Sequence, residues 1–203
     1  MSEEELSNWQ DIPCLLEVDL KYPRDLHDLH NDYPLAPEHV KVGKVHKLIQ
    51  NLNNKEKYVA HHETLKFYLD KGLMLTKIHR GIAFEESGWM KSYIDLNTNL
   101  RAQATNDFDK DNFKLMNNAV FGKMMENVKN RVDIKLVTNE KQARKLISKP
   151  NFCHRNIFCD YLVAIHSNKA KVVLNKPMIV GQAILDLSKM LMYKFYYDYI
   201  IPK

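Results

Sequence analysis

The segment of residues 107–127, DFDKDNFKLMNNAVFGKMMEN, constrains the fold of this chain more than any other stretch. Its apolar residues recur at helical spacing and predict one long amphipathic helix. On that helix Lys114, Asn118 and Phe121 share a face and span roughly 10 Å at about 1.5 Å rise per residue. An ammonium group, an amide and an aromatic ring within that length match one nucleotide, with Gly122 where a ligand can approach the backbone closely.

The same spacing is also typical of an ordinary core helix that ends near a glycine. Its buried side would then consist of Phe113, Leu115, Met116 and Val120. Spacing alone leaves both interpretations of the segment open.

The net charge of +5 conceals a strong asymmetry along the chain. Residues 1–38 hold 2 Lys/Arg and 10 Asp/Glu, a balance of −8. Residues 39–203 hold 28 Lys/Arg and 15 Asp/Glu, a balance of +13. A basic body behind an acidic lead favours a polyanionic partner, and the solvated surface of an ordinary basic protein explains the balance equally well.

Composition also bears on membrane association and on compartment. No apolar run approaches the roughly 18 residues of a membrane span, and the N-terminal MSEEELSNWQ lacks the basic-then-apolar order of a signal peptide. We therefore expect no membrane partner. Three cysteines, an odd number, argue against a disulfide framework and for a reducing intracellular compartment, nuclear or cytoplasmic.

Periodicity and turn residues divide the rest of the chain into short elements. Strands are predicted at residues 15–22, 57–60, 73–80, 82–85, 129–137, 151–154 and 162–165. Helices are predicted at residues 61–71, 89–103, 140–148 (capped by Thr138) and 178–201, where the last is apolar all round and expected to be buried against a sheet. Residues 33–37 form a rigid connector because two prolines exclude a helix. Residues 168–176, NKAKVVLNK, predict a basic β-hairpin arm.

Three groups of residues invite a metal-site interpretation, and other roles are favoured for each. The groups are Glu17 with Asp19; His27 with His30 and Asp32; and Cys153 with His154, Cys159 and His166. The histidines near the loop are more often capping or surface groups, and the cysteine spacing matches no common zinc motif. We predict no metal ligands in this chain.

The residues KLMNNAVFGK at 114–123 resemble motif B of the family B DNA polymerases, where a lysine is followed by Asn, a small residue, an aromatic residue and Gly. The flanking segments resemble one branch, the protein-primed polymerases of Maverick/Polinton-type mobile elements and their viral relatives. These segments are HDLHNDYPLAPE, KIHRGIAFEES, YIDLNTNLRAQATNDF and VDIKLVTNEKQARKLISKPNF. The resemblance covers nearly the whole chain, from about residue 16 to residue 203.

The resemblance implies an α+β fold in which a helical hairpin, the polymerase fingers, stands on part of a polymerase palm with small β-containing insertions. It divides the chain into an acidic lead (1–15), a palm edge and insertion region (16–87), fingers with motif B (88–128) and a palm part (129–203). The palm part carries a β-hairpin insertion and a long palm helix.

The resemblance also implies roles for individual residues. Lys114 would contact the phosphates of the incoming nucleotide, assisted by Arg101. Asn118 and Phe121 would face the nascent base pair beside Gly122. The family often has Ser-x-Tyr where this chain has Ala119-Val120-Phe121, so hydrogen bonds from those hydroxyls are lost while ring stacking is kept.

Lysines supply the remaining contacts. Lys110 lies one turn before Lys114 and, with Arg101, would complete a cationic strip for phosphates. The candidate contacts to the DNA backbone are Lys123, Lys169, Lys171 and Lys176.

The implied activity is that of a DNA-directed DNA polymerase, a nucleotidyltransferase of DNA replication that uses Mg²⁺ held by aspartates of two motifs. Neither motif is recognisable here, and VDLKYP places Glu17 where an aspartate is required. We therefore expect no catalytic residue in this chain. We expect a fragment that binds dNTP and primer-template DNA, with a terminal priming protein as a further partner. The alternative is a decayed or domesticated module that only binds DNA.

Overall fold

The computed structural model describes residues 1–202, which separate into two compact units. The first unit comprises residues 1–117 and 179–202, and the second comprises residues 118–178. Both units combine helices with small antiparallel sheets, which confirms the α+β class predicted from the sequence. The four functional segments implied by the resemblance remain predictions.

The elements follow one another in a simple order. Up to the fingers segment they are α1 (Glu3–Ser7), β1 (Cys14–Lys21), α2 (His27–His30), β2 (Glu38–Val42), β3 (Val45–Ile49), β4 (Lys55–His61), α3 (His62–Asp70) and β5 (Met74–Ala83). The segment predicted to be the fingers contains α4 (Lys91–Gln103) and α5 (Asp107–Met124), and after it come β6 (Val132–Val137), α6 (Glu140–Ile147), β7 (Phe152–Cys159), β8 (Leu162–Asn168) and α7 (Met178–Phe195). Among residues 1–202, none of the helices combines the length and apolar character needed to cross a membrane.

The first unit is built on a three-stranded antiparallel sheet in the order β4-β1-β5. In the central strand β1, Leu16, Val18 and Leu20 are buried in the core. Because side chains alternate along a strand, Glu17 and Asp19 lie on the opposite face. The strand predicted at residues 15–22 is confirmed.

Strand β5 is continuous from Met74 to Ala83, so the prediction of two strands separated at Gly81 is wrong. Gly81 pairs with Leu16 of the central strand. A Cβ atom at Gly81 would lie 2.7 Å from a methyl carbon of Leu16. Glycine here leaves room for a core side chain and does not form a turn.

Helix α3 (His62–Asp70) confirms the helix predicted at residues 61–71. Gly72 follows it at a φ of +97°, a left-handed conformation that glycine adopts without steric cost and that commonly ends helices.

Helix α7 is attached to the first unit through one buried carboxylate. Asp186 is 2% exposed and accepts a hydrogen bond from the His61 backbone N–H at 2.8 Å. Gln182 and Lys189, one turn away on either side, donate to the same carboxylate at 3.3 and 3.1 Å. The carboxylate thus joins α7 to the junction between β4 and α3, 125 residues earlier in the chain.

The end of α7 continues as a π-helical turn, Tyr196–Ile200, and packs on the proline-containing connector. The Tyr193 hydroxyl donates to the Pro34 carbonyl at 2.9 Å, and the Tyr197 hydroxyl donates to the Tyr33 carbonyl at 2.7 Å. The helix predicted at residues 178–201 is therefore confirmed. The helix was expected to be buried against a sheet; one of its sides packs on the core, whereas Leu191, Met192 and Phe195 are more than half exposed.

His30 is a core residue. It is 1% exposed, its Nδ1 lies 2.7 Å from the Tyr22 hydroxyl, and its ring packs edge-on against Tyr197. The Tyr22 hydroxyl also accepts a hydrogen bond from the Leu35 N–H. Packing and hydrogen bonding therefore account for His30, and the prediction of a capping or surface group is wrong for this residue.

The second unit contains a three-stranded antiparallel sheet in the order β6-β8-β7, with helix α6 beside it. Strands and helix lie where the sequence predicted them. The predicted cap is wrong, because Asn139 and not Thr138 accepts the hydrogen bond from the Lys141 N–H at the start of α6.

The basic β-hairpin predicted at residues 168–176 is also wrong. The hairpin of this unit is β7–β8, which ends at Asn168, and residues 169–177 contain neither helix nor strand. The stretch NKAKVVLNK has one run of strand-forming residues and no turn at its centre, so it cannot pair with itself.

The pH dependence of stability follows from two buried histidines. Burial lowers the pKa of His30 and His61 below the ordinary 6.5, assisted by the positive charge of Lys71 at His30 and by the neighbouring His62 ring at His61. Below pH 6.5 the unfolded chain takes up protons that the folded chain does not, so the free energy of unfolding falls as pH falls. We expect urea unfolding to show constant stability from about pH 8 to 7 and a decline between about 6.5 and 5.

Carboxylates contribute mainly below that window, because Glu5, Glu63 and Glu126, whose pKa values are lowered by hydrogen bonds, reduce stability as pH falls toward and below their ordinary 4.5. Asp19, whose pKa is lowered mainly by a hydrogen bond from the Lys57 N–H, reduces stability only below its ordinary value of 3.8. His30→Gln should flatten the decline, whereas His39→Gln on the exposed side of β2 should not. An unchanged slope in His30→Gln would contradict the assignment.

The attachment of α7 is tested by Asp186→Ala. The substitution leaves the His61 N–H and the Lys189 ammonium without their acceptor, and removing one partner of a buried pair costs about 3 kcal/mol. Asp198→Ala is the matched control, because Asp198 pairs with Lys71 at the surface and exposed pairs contribute about 0–1 kcal/mol. Equal losses of unfolding free energy in the two variants would show that the carboxylate does not anchor the helix.

Candidate functional site

Helices α4 and α5 form the predicted helical pair. Their connection is short, and Asn106 caps α5 by accepting from the Asp109 N–H at 2.8 Å and donating to the Asp109 carboxylate at 2.7 Å. Two further bonds join the helices: Tyr93 donates to the Met116 carbonyl, and Asn117 donates to the Thr98 hydroxyl, both at 3.4 Å. The helices predicted at residues 89–103 and 107–127 are confirmed, with the second ending at Met124.

The predicted nucleotide contacts on α5 form a row that we call the α5 ridge: Lys110, Lys114, Asn118 and Gly122. Successive members are four residues apart, a spacing that aligns side chains along one side of a helix. All four are exposed. Lys110 lies 3.6 Å from Asp107, whereas Lys114 and Asn118 have no hydrogen-bond or ion-pair partner within residues 1–202. The ridge therefore offers a cation and an amide that the fold does not use.

Phe121, the remaining α5 candidate, differs in exposure from the neighbouring ridge residue Gly122. Phe121 is half-buried. A Cβ atom at Gly122 would meet nothing within 4 Å, so the packing of the chain does not require a glycine at this helical position. Glycine in a helix costs about 1 kcal/mol relative to alanine, and its presence here is explained by nothing inside the protein.

Arg101 lies in the last turn of α4 and is exposed. Within residues 1–202 its guanidinium has no carboxylate partner. Among the described residues, Arg101 is thus an unpaired cation on the helix that precedes the α5 ridge. It lies in the last turn of the helix predicted at residues 89–103.

Two of the predicted DNA contacts are bound to an internal carboxylate in the second unit. Glu126 lies 2.9 Å from Lys123 and 3.5 Å from Lys176, and it accepts two hydrogen bonds from Arg131 at 2.7 and 2.6 Å. Hydrogen bonds from Arg131 and then Lys123 hold the pKa of Glu126 far below its usual range. Lys176 is mostly buried beside it.

Lys169 and Lys171 behave differently from that pair. Both are exposed in the segment after β8, and neither has an ion-pair partner among the described residues.

The sequence pattern did not identify Glu126, although a lone carboxylate within a strongly basic stretch is the signal that could have done so.

Charge is divided sharply between the two units. The second unit holds 12 Lys/Arg and 4 Asp/Glu, a balance of +8. The rest of the chain holds 18 Lys/Arg and 21 Asp/Glu, a balance of −3. The boundary found in the sequence at residue 38 is therefore less informative than the boundary of the second unit, because the excess positive charge lies in residues 118–178.

One group of potential metal ligands gathers among residues 1–202, formed by His61, His62 and Glu86. Nδ1 of His61 accepts from the Glu63 N–H at 3.3 Å, and Nδ1 of His62 accepts from the Cys14 N–H at 3.2 Å. Each neutral ring therefore carries its proton on Nε2. A histidine that binds metal through Nε2 normally donates from Nδ1, so both rings are in the wrong tautomer.

Magnesium prefers oxygen ligands from carboxylates and water, and the histidine group does not match that preference. Glu17 and Asp19 are also occupied: Glu17 accepts from Arg80 at 2.6 Å, and Asp19 lies 2.8 Å from His79 Nε2 and accepts from the Lys57 N–H. The residues of this chain that the structure describes do not fit a two-metal catalytic site.

The cysteine and histidine group on β7 and β8 also does not converge on an ion. His154 and His166 stack face to face with ring centroids 4.1 Å apart. Cys153 is exposed and Cys159 half-buried, and both are free thiols. Neither cysteine belongs to a group of three potential ligands among the described residues.

The sequence model of one protein family matches residues 15–201, nearly the whole chain. The family is described as DNA polymerase type B, organellar and viral. No curated protein and no solved structure matches the chain.

Proposed function

This chain belongs to the organellar and viral type B DNA polymerases, and we propose that it supplies surfaces with which such an enzyme binds its incoming nucleotide and its DNA. The family implies, in general terms, a DNA template, deoxynucleoside triphosphates and a divalent metal ion as partners. Particular side chains support the assignment of a nucleotide site and a DNA-binding surface.

The α5 ridge is the proposed site for the incoming dNTP. The observation that carries this proposal is that Lys114 and Asn118 are exposed without internal partners, beside a glycine that packing does not require. Lysines with no internal carboxylate are available for phosphate oxygens, which form charge-assisted hydrogen bonds with ammonium groups. The distance from Lys114 to Phe121, roughly 10 Å along the helix, matches the length from a phosphate to a base.

Each ridge residue has a proposed role. Lys114 binds the triphosphate with help from Lys110 and from Arg101 of α4. Asn118 and the ring of Phe121 face the base pair that forms, and Gly122 lets that pair approach the helix. The roles require no catalytic carboxylate from this chain, because the described residues do not fit the metal site. We propose that the Mg²⁺ ligands and the catalytic groups belong to other segments of the polymerase.

The second unit is the proposed DNA-binding part. Its balance of +8 favours contact with phosphates, and Lys169 and Lys171 are exposed and free of internal carboxylates. Lys123 and Lys176 would contribute from the cluster around Glu126, where three cations surround one carboxylate and leave a local excess of positive charge.

The proposed subclass is the protein-primed type of Maverick/Polinton elements, with a terminal priming protein as a further partner. Its support is the ordered set of resembling segments on both sides of motif B. The proposed setting is a reducing compartment, nuclear or cytoplasmic, supported by three cysteines that are all free thiols.

A DNA-binding module without catalysis is the second candidate. The strongly basic second unit and the lack of a fitting metal site among residues 1–202 favour it. The two candidates differ in their requirement for nucleotide, since only a polymerase part needs a triphosphate site on α5.

Nucleotide binding by the ridge is tested with Lys114→Ala. Titration of the chain with dATP, followed through the NMR amide signals of Asn118 and Gly122, should give a Kd about tenfold higher in the variant, because one charge-assisted contact contributes about 1.5–3 kcal/mol. Lys47→Ala on the exposed side of β3 removes the same charge and should leave the Kd unchanged. If dATP does not shift the ridge signals of the parent chain, the module candidate is favoured.

DNA binding by the second unit predicts a steep salt dependence. Each phosphate contact to duplex DNA contributes a slope of about −0.9 to log K against log salt. Removing Lys169 and Lys171 together by alanine should make the slope shallower by about 1.8 units in fluorescence anisotropy titrations. The double control Lys41→Ala with Lys47→Ala, in the first unit, should preserve the slope. Equal slopes in all three proteins would exclude the segment after β8 from the DNA interface.

A further inference from the structure

The second unit contains a cleft between α6 and one face of its sheet, which we call the α6 cleft. Its volume is about 570 Å³, within the range of small-molecule sites. Its floor is a row of three aliphatic side chains, one from each strand, because Val137 pairs with Val163 and Val163 pairs with Ile157. Residues directly opposite in paired strands share a face of the sheet.

The wall opposite the floor is helix α6. Ala143 and Ile147 of the helix line the cleft together with Arg144. The Arg144 guanidinium is already bound, since it donates to Glu140 at 3.0 and 2.7 Å. The aliphatic floor, with Ala143 and Ile147 opposite it, favours a flat ring between helix and sheet, and polar side chains complete the lining.

The two ends of the floor carry opposite charge. In the next row of the sheet Lys135 pairs with Ile165 and Ile165 pairs with Arg155, so two cations lie on the same face as the floor. At the other end the β7–β8 turn places Asp160 and Tyr161 in the lining. Arg155 and Asp160 are exposed, and neither has an ion-pair or hydrogen-bond partner within residues 1–202.

We propose that the α6 cleft binds a nucleotide unit whose base carries an exocyclic amino group. The base lies on the floor against Tyr161, where aromatic stacking stabilises it. The phosphate binds Arg155, with Lys135 in the same row. The amino group donates to the Asp160 carboxylate, the contact that acidic side chains make with N4 of cytosine.

Other ligand classes match the cleft less well. An aliphatic ligand makes no ionic contact with Arg155 or Asp160. A purely cationic ligand is repelled by the positive charge of Arg155. A ligand with an anion at one end, a flat ring in the middle and an amine donor at the other end uses all three regions.

The inference goes beyond the dNTP site proposed on α5, because its residues lie within 135–163 and it requires no α5 side chain. The nucleotide unit can be free in solution or can be a unit of a DNA strand. The shared chemistry is the same in both cases, and the test separates them.

The test uses the whole chain and the NMR amide signals of Val137, Ile157 and Val163. In the first arm the chain is titrated separately with dCMP and with dTMP, which lacks the amino group. Deoxycytidine and inorganic phosphate are titrated as well, to measure the binding of each half of the ligand. The second arm titrates a short single-stranded oligonucleotide of cytosine against one of thymine. We expect dCMP or the cytosine strand to shift these signals saturably, and the arm that responds identifies the source.

Variants separate the contacts. Arg155→Gln should weaken binding about tenfold, as loss of one charge-assisted contact does. Asp160→Asn should abolish most of the preference for cytosine over thymine. Lys145→Gln is the matched control, because Lys145 is exposed on the same helix outside the cleft lining. Ala143→Leu narrows the cleft and should weaken binding without lowering the melting temperature.

The possible outcomes separate clearly. Binding that depends on Arg155 and keeps its base preference only while Asp160 is present supports the inference. The inference is overturned if neither titration arm shifts the cleft signals saturably. It is also overturned if Arg155→Gln and Lys145→Gln weaken binding equally. Lys114→Ala should leave the NMR signals of the α6 cleft unchanged. The signals of Asn118 and Gly122 therefore test the dNTP site on α5, and the signals of Val137, Ile157 and Val163 test ligand binding in the α6 cleft.

Discussion

The buried carboxylate of Asp186 is the interaction on which the first unit depends. It connects the middle of α7 to the backbone at His61, where β4 ends and α3 begins. With that point fixed, Tyr193 and Tyr197 reach the carbonyl groups of the connector at residues 33–37. A buried charge is retained only where donors surround it, and here the His61 N–H, Gln182 and Lys189 supply them. One residue thus joins two segments that lie 125 residues apart in the chain.

The proposed binding sites use charges that the fold leaves unpaired. Glu126 binds Lys123, Arg131 and Lys176, and Glu140 binds Arg144, so these cations first stabilise the protein. Lys114, Lys169, Lys171 and Arg155 have no such partner among the described residues. Exposed cations without carboxylates keep their full attraction for phosphate. Other exposed lysines, such as Lys47 and Lys145, also lack carboxylate partners within residues 1–202, so the α5 ridge and the α6 cleft are distinguished by the groups that lie beside their cations.

Local patterns predicted much of the fold. Alternation located β1, helical spacing located α4 and α5, and helical spacing with the terminal glycine Gly72 located α3. The pattern split β5 at Gly81, because the sequence does not reveal that Leu16 packs over that position. It missed the β2–β3 hairpin, although Gly43 at a φ of +63° lies in its turn. It placed a hairpin after residue 168, although the hairpin of this unit is formed by β7 and β8, which end at Asn168.

The sequence by itself determined the family, the helical pair that carries motif B and the residue types of its ridge, since these depend on contiguous patterns and helical spacing. Only the tertiary structure decided which lysines are free and which are bound to Glu126, and that the excess positive charge lies in the second unit. It also decided that His61 and His62 carry their protons on Nε2 and that Arg155 and Asp160 lie at opposite ends of one cleft. The physical reason is that ion pairs, tautomers and clefts depend on distances between residues far apart in the chain, and strand register sets those distances.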